Sequence, residues 1–249
     1  MLRLILIPLS LAVVSIFAAP SYSRGSVQLD LESGIAQSGY NDVRYPGTTG
    51  TKLSLSRDLS LDRSLFWRAR ASVTFGDRHT LSLLAAPLRL DGQGVLANDV
   101  TFGEALFQAA TSVKTRYRFD SYRLTYRYDF IHRDDLRLGI GFTGKVRDAA
   151  ISVRGGGRTS EKANTGFVPL INFRADVRIN QRFGLLIDGD ALAAPQGRAE
   201  DVLAAITVAT TKHIEFKCGY RILEGGADND EIYTFALVNY LVLGVSCQF

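Results

Sequence analysis

From Ile232 to Phe249 the chain reads I-Y-T-F-A-L-V-N-Y-L-V-L-G-V-S-C-Q-F, and no other stretch limits the possible folds as much. Its odd positions, Tyr233, Phe235, Leu237, Asn239, Leu241, Leu243, Val245, Cys247 and Phe249, form a nearly unbroken apolar row at the two-residue period of a strand. The even positions, Thr234, Ala236, Val238, Tyr240, Val242, Gly244, Ser246 and Gln248, are mixed. One face meets an apolar environment and the other is partly polar. No proline interrupts the run.

The start of the chain narrows the setting. One early cation, Arg3, precedes an apolar run from Leu4 to Ala19, followed by Pro20, Ser21, Tyr22 and Ser23. This is the layout of a cleaved secretory signal peptide, with a core too short and flanks unsuited to a permanent span. The expected organisation is therefore a signal peptide over residues 1–23 and one barrel domain over residues 24–249. Beyond the signal no apolar stretch reaches the roughly eighteen residues a helical span requires. A chain that enters a membrane without such a stretch must cross it as a closed barrel.

The last strand and its terminal aromatic resemble the ending of Gram-negative outer-membrane barrels, in which an aromatic final residue is the assembly signal. The resemblance implies that role for Phe249 and a location in the cell outer membrane. It also implies outer-membrane lipid, lipopolysaccharide, periplasmic chaperones and the barrel-assembly machinery as partners.

Charge and cysteines add exclusions. Loss of Arg3 with the signal lowers the formal charge from +4 to +3, and the cations are dispersed along strands, which argues against nucleic acid. Cys218 and Cys247 lie in an oxidising compartment. A last hairpin turning near Ala227-Asp228 puts Cys218 opposite residue 237, about 33 Å from Cys247 at a strand's rise, so both read as lipid-facing small hydrophobes.

Alternation recurs along the chain. Ser26–Gln37 opens the barrel, Ser38–Gly50 reads as a loop, and Thr51–Phe75 as one irregular strand. His79–Leu90 follows, with a bulge at Leu83-Leu84 and Pro87. Asp91–Lys114 lacks alternation; its part from Phe102 to Val113 suits a short helix or a loose loop. Ser121–Phe130 is the clearest internal strand, with Tyr122, Leu124, Tyr126, Tyr128 and Phe130 on one face and Arg123, Thr125, Arg127 and Asp129 on the other. Leu136–Val146, Phe167–Ile179, Phe183–Ala193, Asp201–Thr210 and Ile214–Leu223 complete the set, with loops at 155–166, 194–200 and 224–231. The fold class is an all-β, transmembrane, antiparallel up-and-down barrel of ten strands, with eight as the alternative if a weak pair near Thr51 or Asp201 is misread.

A secreted soluble barrel of lipocalin type also has a signal peptide and alternating strands, but it hides its apolar face inside. Here the polar face carries Arg123, Arg127, Asp129, Arg137, Lys145, Arg147, Arg174, Asp176, Arg178, Asp188, Asp190, Glu215, Lys217 and Arg221. Both signs of charge suit the interior of a small membrane barrel. They either plug a narrow lumen with ion pairs or line a path for small solutes.

Two stretches at the loop end, Asp188–Asp201 and Arg221–Tyr233, gather Asp188, Asp190, Glu200, Asp201, Glu224, Asp228, Asp230 and Glu231 into an acidic rim. Oxygen-rich loops bind hard cations, so Ca²⁺ or Mg²⁺ is the one cofactor to consider, although the spacing is not an EF-hand's. A solvated rim paired with Arg198 and Arg221, a surface-ligand site, and a carboxylate-based enzyme are the three readings. The chain resembles in architecture the omptin proteases and the barrels that modify lipid A, which use histidine near the outer rim. His79, His132 and His213 instead fall at short turns on the opposite side, and no G-x-S-x-G elbow is present. Taken with S-Y-R-L-T-Y-R-Y and N-D-V-R-Y-P-G, the rim stretches resemble an uncharacterised family of bacterial outer-membrane barrels. That resemblance implies fold and location only; a monomer with structural or binding duty is expected.

Overall fold

The computed structural model describes residues 25–195 and 197–249; the expected signal peptide lies outside them. Those residues contain no helix, and so none that is long and apolar enough to cross a membrane. They form ten antiparallel staves: β1 Ser26–Arg44, β2 Ser64–Phe75, β3 in two segments His79–Ala86 and Arg89–Val95, β4 Ser112–His132, β5 Leu136–Gly155, β6 Arg158–Arg178, β7 Phe183–Ala194, β8 Gly197–Ala209, β9 Ile214–Asp228 and β10 Tyr233–Gln248. Each stave pairs with the next, and β10 closes onto β1. The seam runs from Gln28↔Gln248 to Arg44↔Tyr233. It ends with the Phe249 N–H donating to the Val27 carbonyl at 2.8 Å and the Val27 N–H donating back at 3.2 Å. Ten strands in up-and-down order match the expected fold, and the eight-stranded alternative falls away.

The alternation points the way a membrane barrel requires. Leu65, Phe142, Phe167 and Leu243 are between 60% and 82% exposed on the outer wall, while Arg123 and Asp201 are 4% and 2% exposed inside. Trp67, Tyr122, Phe130 and Phe216 belong to the same outward belt.

Several loops expected from the sequence are strand instead. β1 runs on to Arg44 because a bulge between Ser38 and Tyr40 reverses its facing, so that Asn41 and Val43 turn inward and are fully buried. Thr51–Phe75 is not one strand: Leu53–Ser54 pairs with Asp42 and Val43 of β1, and regular structure resumes at Ser64. In 91–114 the helix is replaced by the second half of β3 and a small hairpin, Val100–Phe102 with Ala105–Phe107. The 155–166 loop shrinks to Gly156-Gly157, with φ of 54° and 74°, the conformation of a two-residue type I′ hairpin. β7 and β8 likewise leave only 195–196 between them. The break at Pro87 is real, and the second half of β3 resumes against β4 as Arg89↔Arg118.

The wall is uneven in height. β4, β5 and β6 have 21, 20 and 21 residues against 12 and 13 in β7 and β8. At roughly 3.3 Å per residue that is about 70 Å against about 40 Å. β6 meets β7 only from Ile171↔Ala191 downward, so its upper part pairs with β5 alone.

Cys218 and Cys247 are free. The last hairpin turns three residues later than expected, placing Cys218 opposite Leu243, about 13 Å along the strand from Cys247.

Candidate functional site

The bore is filled in two layers. In the middle, inward positions of seven staves deliver charges that meet across the axis. Arg221 holds Glu32 at 2.9 Å and Asp201 at 2.5 Å. Arg68 reaches the same two carboxylates at 3.3 and 3.1 Å. Arg123 joins Asp201 to Asp190, at 2.7 Å from the latter, and Asp190 also accepts from Thr143 and Asn172 at 2.6 and 2.9 Å. Lys217 binds Asp30 and Glu32 at 2.8 and 2.7 Å. Arg70 binds Asp188 at 2.5 Å, and Arg174 spans Asp176 at 3.2 Å and Asp188 at 3.8 Å.

The cations Arg68, Arg70, Arg123, Arg174, Lys217 and Arg221 thus face Asp30, Glu32, Asp176, Asp188, Asp190 and Asp201, six against six. Such a set is stable only because every member is partnered; charges taken from water cost several kcal/mol each, on the order given for real proteins, until paired.

Above this layer the filling is apolar. The β1–β2 connection contributes Leu53, Leu55 and Leu59, and the β3–β4 connection contributes Leu96, Val100, Phe102 and Phe107. They pack on Val43, Val113, Val153 and Val238 of the wall. Phe66 and Tyr240, edge to face at 4.9 Å between centroids, sit at the join of the two layers. Below the charges a cavity of about 230 Å³ opens at the short-turn end, lined in part by Arg127, His132, Arg137 and Asp176.

The charged residues expected in the lumen are mostly there. Arg123, Arg174, Asp176, Lys217 and Arg221 belong to the network, and Arg127 pairs with Asp129 at 3.0 Å. Lys145 points inward but lies over the Phe119 ring, 4.8 Å from its centroid. Arg137 lines the lower cavity, Glu215 is half-buried and Arg178 is exposed at the strand end. Asp30, Glu32, Arg68 and Arg70 are network members that the sequence shows only as polar-face positions; their alternation is the signal, but nothing in it names their partners.

The acidic rim needs correction. Asp188, Asp190 and Asp201 do not stand at a rim but lie inside, 4%, 3% and 2% exposed. β7 and β8 stay paired up to Ala194↔Gly197, which keeps Asp190↔Asp201 within the paired strands, so the two-residue period carries them into the lumen. Glu224 does lie high on the wall, facing outward, where Arg198 donates to it at 2.8 and 2.9 Å and the Tyr40 hydroxyl donates as well. Burial opposes ionisation of Glu224, but the hydrogen bonds from Arg198 and Tyr40 outweigh it and hold its carboxyl below the usual range. Arg198 in turn lies 5.0 Å over the Phe235 ring. Glu231 pairs with Lys162; Glu200, Asp228 and Asp230 make no ion pair among the described residues. No three His, Cys, Asp or Glu among those residues converge as a metal site would require.

His79, His132 and His213 are all at the short-turn end. His79 stacks on Phe75 and shares a 2.8 Å hydrogen bond with the Tyr126 hydroxyl. His213 contacts the Gln248 carbonyl at 3.0 Å.

No protein-family model matches the chain, and no curated protein matches it. Among solved structures, the outer membrane protease OmpT from Escherichia coli superposes with a TM-score of 0.59 at 10% identity, over 90% of this chain and 97% of that one. The transport unit of the autotransporter AIDA-I from Escherichia coli gives 0.49 at 8% identity, over 94% of each chain. Neisserial surface protein A gives 0.39 at 15% identity, over 90% and 97%. The first of these carries the assignment: the fold is that of an outer-membrane β-barrel. Identity this low speaks for architecture and not for activity.

Proposed function

We propose that this chain is exported by a cleaved signal peptide, resides in the outer membrane with its long connections outward, and is non-conducting, working through its outward surface in a structural or ligand-binding role. The observation that carries this reading is the apolar cap. Leu53, Leu55, Leu59, Phe102 and Phe107 are each at most 2% exposed in the upper bore, directly above a layer whose charges balance. A water-filled path needs a polar lining from end to end, and this bore has one only in its lower half.

Proteolysis, the activity in the name of the first structural neighbour, has less support. The three histidines lie at the short-turn end, and the carboxylates nearest the crown are solvated or paired.

Two measurements test the proposal. On a detergent gel the outer-membrane fraction should show a band for this chain that shifts on boiling; a soluble periplasmic protein without a shift would overturn the location. In planar bilayers the purified protein should give no discrete conductance steps at any voltage, and regular steps would overturn the non-conducting reading.

A further inference from the structure

Two hollows lie one above the other on the outer wall. The lower is an apolar furrow of about 850 Å³. Ala69 and Ala71 of β2, Ala85 of β3 and Gly144 of β5 form its floor, where neighbouring wall positions carry larger side chains, and Leu31 and Phe167 stand at its margins. From β1 to β6 it crosses five strand spacings, about 24 Å at roughly 4.8 Å each, a width that takes several hydrocarbon chains side by side.

Above it the wall turns polar in a fixed order. Tyr122↔Val146 closes the furrow, then come Asp120↔Asp148, Arg118↔Ala150, Arg116↔Ser152 and Lys114↔Arg154. Arg89 binds Asp120 and Arg118 binds Asp148, so these carboxylates are neutralised where a headgroup would begin. The upper hollow, about 330 Å³, surrounds Lys114 and Arg154. Those two cations stand directly opposite, both exposed, and make no ion pair among the described residues. Like charges so placed repel, and an anion between them removes the penalty. Arg116 holds Asp91 at 2.6 Å and Asp62 lies at the edge, so three cations against two carboxylates leave the hollow at net +1.

We propose that this wall binds one multiply acylated glycolipid with an extended anionic sugar head, of the lipopolysaccharide kind, its chains in the furrow and an anionic group of its head between Lys114 and Arg154. The inference rests on the membrane reading above. Eight residues separate Tyr122 from Lys114, about 26 Å at roughly 3.3 Å per residue, which is too far for a phospholipid headgroup and within reach of a chain of sugars.

The full chain in detergent would be titrated by native mass spectrometry with rough lipopolysaccharide bearing a phosphorylated core, with the lipid A released from it, and with phosphatidylglycerol. The lipopolysaccharide should bind about tenfold more tightly than its lipid A, the worth of one charge-assisted hydrogen bond. Lys114→Gln combined with Arg154→Gln should abolish that margin and leave lipid A binding in place, whereas Ala71→Trp should weaken both. Each variant is first shown to keep the gel shift on boiling, so that failure of the barrel itself is read separately. Phosphatidylglycerol binding as well as lipopolysaccharide, binding unchanged in both variants, or a dimer that Ala71→Trp disrupts would each overturn the proposal.

Discussion

The lower and upper halves of the bore have the same kind of wall and opposite fillings. Below Tyr240 the space is taken by side chains of the staves themselves, Arg68, Arg123, Arg221 and their carboxylates. Above it the space is taken by two connections that fold inward and bring Leu53, Leu55, Leu59, Phe102 and Phe107. The difference follows from where the atoms come from. A stave supplies an inward position at every second residue, and long charged side chains from opposite staves can meet across a narrow bore. An inserted loop also brings backbone polar groups. Part of the backbone requirement is met by loop-to-loop and loop-to-wall hydrogen bonds, such as the Leu55 N–H to the Asn41 carbonyl at 2.7 Å. Its side chains then gain most by burying apolar surface, at about 25 cal/mol per Å². The lower layer is thus brittle to the loss of one member, and the upper one yields gradually.

Asp201→Asn should have the largest effect. It removes the carboxylate that serves Arg68, Arg123 and Arg221, and breaking a buried pair while leaving its partners in place costs about 3–5 kcal/mol. The measurement is the temperature at which the folded gel band is lost, and a drop no larger than that of a surface variant would mean that water or another carboxylate already serves those guanidiniums. Leu59→Ala in the cap should cost about 3 kcal/mol or less, the low end for a buried leucine, because the cap can settle into the space. Limited proteolysis of the 45–63 connection should accelerate while the barrel's own transition stays put. If that transition falls as far as in Asp201→Asn, the two halves unfold as one unit and the contrast between them fails.

The smallest effect belongs to the outward Tyr40–Glu224–Arg198 cluster. Because the Glu224 carboxyl is held below its ordinary range, its contribution is complete above the ordinary glutamate value, roughly pH 4.3, and is lost as pH falls through the lowered folded value. Melting temperature against pH should show a shallow acid-side decline that Arg198→Gln flattens. The magnitude stays under about 1 kcal/mol, since Arg198 is half exposed and solvent screens the pair.

The strand pattern was legible in the sequence wherever a membrane or a bore imposed one face: Ser121–Phe130 and Ile232–Phe249 needed only their period. Loops were misread where turn-forming residues continued a strand. Gly156-Gly157 is a two-residue turn inside a tall hairpin, and S-G-Y-N-D-V-R hides a bulge that only pairing with β10 reveals. That the lumen was charged could be seen from Arg123, Arg127 and Asp129, but which carboxylate meets which guanidinium depends on the stagger of staves far apart in sequence. The rim failed for the same reason: pairing of β7 with β8 as far as Ala194↔Gly197 sets Asp201 inside, opposite Asp190, where the alternation of β7 already directs Asp188 and Asp190. The apolar cap carries no periodic signature, because Leu53 to Leu59 and Val100 to Phe107 are held by tertiary packing.

β1 and β10 join positions 220 apart, as between Gln28 and Gln248. Hairpins between β2 and β9 can all form and still leave an open ribbon with two bare edges, each able to recruit a stranger's strand. Closure requires the final residues to find Val27, and contacts so distant in sequence form slowly. Closure also brings Glu32 of β1 to Lys217 and Arg221 of β9. A ribbon left unclosed keeps its bare edges for as long as closure is delayed, a hazard measured in time and not in kilocalories.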